Sequence, residues 1–68
     1  MADQTSWEAI YASHRLELLR YVHRLTRDVH LAEDIVQDAF LRLWRETRTV
    51  DSPRSWLYRV CTNMVRDQ

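Results

Sequence analysis

Residues 32–44, AEDIVQDAFLRLW, decide how the chain folds. Turned at about 100° per residue, Ile35, Val36, Ala39, Phe40 and Leu43 fall on one side of a helix. Asp34, Gln37, Asp38, Leu41 and Arg45 fall on the other. The first side is a core stripe. The second sets an apolar leucine among acids and an amide, on a face that points at water. Acids near a helix N-terminus favour the macrodipole, which accounts for Glu33 and Asp34 but not for Gln37 together with Leu41.

Outward from this stretch the chain reads as helices only. Asp28 is placed to cap a helix over roughly residues 30–46. Upstream, Thr5 with Glu8 fits a capping box, and an apolar stripe follows through Trp7, Ile10, Tyr11, Leu18, Val22 and Leu25. Ser13 is a possible fresh cap, so this part is one bent helix or two short ones with a break near residues 12–14, ending near Arg27. TRTVDS, residues 47–52, reads as a loop. Ser52-Pro53 then starts the last helix, with a serine at the N-cap and proline at the first helical position. There is no glycine and one proline. Turns that need positive φ therefore lack their usual residue, which favours helices on short linkers over hairpins. The expected fold is all-α: three or four helices in one domain over residues 1–68. Its core is expected to hold Trp7, Leu18, Val22, Ile35, Ala39, Leu43, Leu57, Val60 and Met64.

Sixty-eight residues bury only about 60% of the unfolded surface, so the domain is marginal alone. The one cysteine, Cys61, has no partner for an internal disulfide. With no signal peptide in view, it points to the reducing cytoplasm. No apolar run approaches the roughly 20 residues of a membrane span. Formal net charge is zero, but it is polarised: residues 1–41 hold four arginines and seven acids, net −3, and residues 42–68 hold six arginines and three acids, net +3. The C-terminal part can face phosphate. All ten basic residues are arginine, which suits bidentate phosphate and base contacts, but a GC-rich genome explains the missing lysines at least as well and is the favoured reading. Catalysis and metal binding find no support. His14, His23 and His30 do not pair at helical spacing, a single cysteine accompanies them, and no phosphate-binding glycine loop or nucleophile–base pattern is present. No enzyme activity, cofactor or metal is expected.

In the last helix Leu57, Val60, Cys61, Met64 and Val65 cover the core arc. Ser55, Arg59, Thr62, Asn63 and Arg66 share the opposite arc, with Trp56 and Tyr58 on its borders. Arginine supplies phosphate and guanine contacts, asparagine and threonine can read base edges, and a flanking aromatic can stack on an unpaired base. The same pattern also describes a solvated helix face with amphipathic aromatics at the core boundary.

AEDIVQDAFLRLW, followed after the loop by SPRSWLYRVCTNMV at residues 52–65, resembles region 2 of bacterial sigma factors, and most of all the extracytoplasmic-function (ECF) group. The resemblance covers nearly the whole chain and is weakest in the N-terminal part. It implies a sigma2-type helical fold and an answer for the outer face of residues 32–44. In the family this helix docks on the clamp helices of the RNA polymerase β′ subunit, and the family's contact positions match Asp34, Gln37 and Asp38, with Leu41 one turn further on. It also implies that the C-terminal half recognises and melts the promoter −10 element and holds the non-template strand single.

By the same resemblance, the loop before the last helix takes a flipped-out base. Here Arg48, Asp51 and Ser52 are its expected lining, with Asn63 nearby. Arg54, Arg59 and Arg66 are the expected phosphate contacts. Trp56 matches a tryptophan set against the duplex fork, an assignment that core packing rivals. Tyr58 and Thr62 complete the DNA-facing set. An anti-sigma factor is a further implied partner. Region 2.4 usually continues into a basic stretch where this sequence stops, and region 4, which reads the −35 element, is not in it. The chain is therefore not expected to initiate transcription alone. A helical module that binds a regulator and no DNA is the rival reading.

Overall fold

The computed structural model describes residues 7–67, the Trp7 side chain excepted. The expected capping box at Thr5 and the burial of Trp7 lie outside the described residues. Within them the chain forms three helices and no strand: α1 (Trp7–Thr26), α2 (Val29–Arg45) and α3 (Pro53–Arg66). The all-α architecture is as expected, with three helices.

The break near residues 12–14 is absent. Helix α1 runs without interruption through Ser13, which is exposed. A serine in a helix interior costs only about half a kcal/mol relative to alanine. The apolar positions Tyr11, Leu18 and Val22 stay in phase across it, so burial of one continuous stripe outweighs the local capping preference.

The turn from α1 to α2 is tight. Arg27 takes φ 60°, the only positive φ among the described residues, and its amide donates to the His23 carbonyl at 2.7 Å. A glycine normally fills this left-handed position after a helix; with none in the chain, an arginine bears the strain. Asp28 then caps α2, its Oδ1 accepting from the amides of His30 and Leu31 at 3.1 Å. The second connection, residues 46–52, is extended. Glu46 ends α2 and Ser52 caps α3, its Oγ accepting from the Ser55 amide at 3.3 Å, with Pro53 in the first turn.

The core consists of Leu18 and Val22 from α1, Ala32, Ile35, Val36, Ala39 and Phe40 from α2, and Leu57 and Cys61 from α3. Helix α2 supplies five of these nine residues. Of the expected core, Leu43, Val60 and Met64 are half-buried and pack at its edge. Leu25 departs from the expected stripe: it is 45% exposed. It lies almost a turn beyond Val22, the last buried residue of α1, where the chain is already leaving the helix. Ala32 is a core residue that the wheel of α2 did not include.

Candidate functional site

Two surfaces carry the residues singled out from sequence. The first is the outer face of α2. Asp34 and Gln37 are exposed, and Asp38 and Leu41 are half-buried. Asp38 pairs with Arg42 one turn on, at 3.4 Å, a contact on open surface that contributes little to stability. Leu41 is not among the apolar residues packed on the core. Trp44, one turn further along, is 66% exposed. The macrodipole does not explain the acids. Helix α2 starts at Val29 and has no acid in its first turn, and the dipole's effect fades beyond that turn.

The second surface is an open pocket of about 410 Å³, lined by Glu46, Arg48, Thr49, Val50, Asp51, Ser52, Ser55, Trp56 and Arg59. It forms because the chain leaves α2 extended at Glu46 and re-enters a helix at Ser52. The loop makes one wall and the first two turns of α3 make the other. Five residues expected at the DNA surface meet here: Arg48, Asp51, Ser52, Trp56 and Arg59. Trp56 is half-buried, packs on the core and also lines the pocket, so both of its rival roles are compatible with its position.

Glu46 was not singled out from sequence, yet it organises the rim. Its side chain is only 19% exposed. Arg48 donates to it three times, from its backbone amide at 3.3 Å, from Nε at 3.4 Å and from Nη2 at 3.4 Å. These hydrogen bonds hold the Glu46 carboxyl below its ordinary value and push the Arg48 guanidinium up. The lining thus alternates carboxylates (Glu46, Asp51) with guanidinium groups (Arg48, Arg59). Such a wall offers acceptors and donors side by side.

The remaining residues of the expected DNA set divide. Asn63 and Arg66 are exposed on the face of α3 that carries Arg59, in the turns after the pocket, and do not line it. Arg54, Tyr58 and Thr62, spaced four apart, face α1 instead. The Arg54 Nε donates to Glu17 Oε2 at 2.7 Å, and its guanidinium lies over the Tyr58 ring, 5.0 Å from the centroid. The Tyr58 ring meets that of Tyr21 at 4.9 Å between centroids. Thr62 donates to the Tyr58 carbonyl at 2.8 Å and contacts the Tyr21 hydroxyl at 2.7 Å. A threonine hydroxyl has one proton, so Tyr21 is the donor to Thr62. The network leaves Thr62 without a hydroxyl proton for a base edge.

The model of the family described as sigma-70 region 2 matches residues 10–68, which takes in almost all of α1 and the whole of α2, the pocket loop and α3.

The chain belongs to the sigma-70 region 2 family.

Among relatives, this region 2 chain is 37% identical to the ECF RNA polymerase sigma factor SigL of Mycobacterium tuberculosis, over 98% of its own length and 40% of that protein's. It is 33% identical to the ECF RNA polymerase sigma factor SigW of Bacillus subtilis, over 97% of its own length and 37% of that protein's. The ECF sigma factor SigE of Mycolicibacterium smegmatis is 31% identical over 97% of the chain and 26% of that protein. The region 2 chain therefore spans two fifths or less of the length of these relatives. No solved structure matches it. No described helix is long and apolar enough to cross a membrane.

Proposed function

We propose that this sigma-70 region 2 domain acts in transcription initiation. It docks on the β′ clamp helices of RNA polymerase through the outer face of α2, and it recognises and opens the promoter −10 element with the pocket between α2 and α3. The observation that carries the reading is the pocket itself. It is open, has room for one nucleobase, and is walled by alternating acceptors and donors, with Trp56 at one side and Arg59 at the mouth of an exposed arginine-bearing face. A base drawn out of the stack needs this kind of enclosure. Extrusion costs a few kcal/mol, which stacking and hydrogen bonds to the base edge offset.

The roles divide by position. Asp34, Gln37, Asp38 and Leu41 form the polymerase contact. Arg48, Asp51, Ser52 and Trp56 enclose the base, while Arg59 and Arg66 hold backbone phosphates and Asn63 reads a neighbouring base. The domain works in the cytoplasm, and an anti-sigma factor covers the same two surfaces when the factor is held inactive. In this reading the domain is a recognition module and carries out no catalysis.

The test is binding of the isolated domain to a −10 oligonucleotide, single-stranded and fully paired. The single strand is expected to bind better, with affinity falling as salt rises at a log–log slope of about −0.7 per phosphate contact. Arg59→Ala is expected to lower affinity for every sequence and to flatten the slope by about that amount. No single-strand binding at low salt would overturn the DNA role. The docking role is tested separately with Asp38→Arg, which is expected to weaken binding to a clamp-helix fragment while circular dichroism stays helical. Unchanged affinity would sink it.

A further inference from the structure

The polar seam between α1 and α3 lies outside both surfaces. Its centre is Glu17, on α1. The Glu17 carboxylate accepts from Arg54, 37 residues away in sequence, at 2.7 Å, and the neighbouring Tyr58 hydroxyl also helps to lower its pKa. Burial pushes the Glu17 carboxyl up, but Tyr58, the hydrogen bond from Arg54 and the charges of Arg54 and His14 together bring it below its ordinary value. One turn along α1, Tyr21 holds Tyr58 and Thr62. Glu17 and Tyr21 thus grip one row of α3 at three successive turns.

That row sits beside the residues that make the pocket. Ser52 and Pro53 immediately precede Arg54, and Ser55, Trp56 and Arg59 are on the adjoining face of the same two turns. The apolar contacts of Leu57 and Cys61 hold α3 against the core but tolerate small rotations, because dispersion and burial are non-directional. A charge-assisted hydrogen bond is directional. The seam is therefore the feature that can set the rotation of α3 about its own axis, and with it the aim of the pocket wall.

We propose that Glu17 and Arg54 are positioning residues: their pair clamps the first turns of α3 in the rotation that forms the base pocket, and Arg54 is not a phosphate contact. The proposal rests on the DNA reading above for its consequence, but the clamp can be measured without DNA. The family resemblance assigns Arg54 to phosphate with Arg59 and Arg66. The structure separates it from them, since its guanidinium is engaged by a carboxylate and stacked on Tyr58, whereas Arg59 lines the pocket.

The experiment uses Glu17→Ala, Arg54→Ala and the double variant of the 68-residue chain, with Arg59→Ala as the phosphate control. In the free domain, ¹H–¹⁵N spectra of both single variants are expected to move the same amides, those of Ser52, Ser55 and Arg59, while the amides of α2 stay in place. Amides of the pocket wall that do not move would overturn the clamp, whatever the DNA result. With a single-stranded −10 oligonucleotide, each single variant is expected to lose about fivefold in affinity. The double variant should lose no more than either single one, and the salt slope should remain that of the wild type.

A slope flattened by about 0.7 in Arg54→Ala would make Arg54 a phosphate contact and end the proposal. A gain in affinity in Glu17→Ala would do the same, by showing that Glu17 competes with DNA for Arg54. Glu17→Gln, which keeps an acceptor oxygen and loses the charge, is expected to fall between wild type and Glu17→Ala. It also guards against loss of the fold in the alanine variant. If the wild-type chain fails to bind the oligonucleotide, the DNA reading falls, and the amide shifts still decide the clamp.

Discussion

The two polar sides of α3 have similar composition and different surroundings. One side carries Arg54, Tyr58 and Thr62, and the other carries Ser55, Trp56, Arg59, Asn63 and Arg66. On the first side, each polar group meets a residue of α1 or its own helix: Arg54 meets Glu17, Tyr58 meets Tyr21 and Arg54, and Thr62 meets Tyr21 and the Tyr58 carbonyl. On the second side, Arg59 borders an open pocket, and Asn63 and Arg66 are exposed. The difference teaches that a polar arc on a helical wheel is not yet a binding face. A face is available to a ligand only where no neighbouring helix has already matched its donors and acceptors.

The strongest way to break this contrast is to remove what both sides stand on. Leu57 is fully buried between them, and Leu57→Ala is expected to cost about 2–5 kcal/mol, through lost burial and the cavity left behind. In a domain this small that is most of the stability. Denaturant unfolding measures it, and oligonucleotide binding is expected to vanish with the fold.

A smaller change sharpens the contrast. Tyr21→Phe deletes only the hydroxyl that donates to Thr62 in a half-buried contact. It is expected to cost about 0.5–1.5 kcal/mol, the net worth of one hydrogen bond. Ser55→Ala on the open side is expected to change stability by less than about 0.5 kcal/mol, since the Ser55 amide keeps its bond to the Ser52 cap and the bond its hydroxyl accepts from Ser52 at 3.2 Å is exposed to solvent. Equal effects of the two substitutions, read from denaturant midpoints, would erase the distinction between the sides.

The smallest effects are those of acid. The Glu17 carboxyl titrates below its ordinary value of 4.5, so its contribution is complete above that pH and is lost as acid carries the solution down through its lowered value. Glu46 behaves in the same way at the pocket rim. The Glu17–Arg54 pair is open to solvent, so the acid loss there is expected to be slight.

At the alkaline end the responding groups are Tyr58 on the packed side and Cys61 in the core. Burial, followed by the Glu17 carboxylate, pushes the Tyr58 hydroxyl above its ordinary value of 10.0. Burial alone pushes the Cys61 thiol to about 11 from 9.0. These groups stabilise the fold below their ordinary values, and that stability is lost as pH rises, for Cys61 between 9.0 and about 11. Thermal melts across this range measure it, and a melting temperature unchanged from pH 8 to 11 would contradict the burial of Cys61.

The amino-acid sequence by itself determined the helices, their caps and most of the core. Asp28 and Ser52-Pro53 mark two helix starts by local hydrogen bonding and by a fixed φ. The stripe Ile35, Val36, Ala39, Phe40 follows from helical periodicity alone. Each of these depends on residues within a turn or two along the chain. Even the pocket was partly legible, because the loop and the helix that line it are contiguous: the expected lining of Arg48, Asp51 and Ser52 comes together, joined by Trp56 and Arg59, for which other roles were expected, while Asn63 stays outside it. The Glu46 contribution was missed because a glutamate ending a helix resembles any solvated charge until the chain bends and Arg48 folds back on it.

Only the tertiary structure decided the rest. The continuity of α1 through Ser13 depended on its stripe meeting a core. The left-handed turn fell to Arg27 because α1 and α2 must pack and no glycine was there to take it. The turning of Arg54, Tyr58 and Thr62 toward α1 depended on Glu17 and Tyr21, which lie 37 and 41 residues before the side chains they bond, Arg54 and Thr62. No local pattern records that pairing. A side chain's donors are the same in every environment, and whether they remain for a ligand is settled by which other helix the fold places against them.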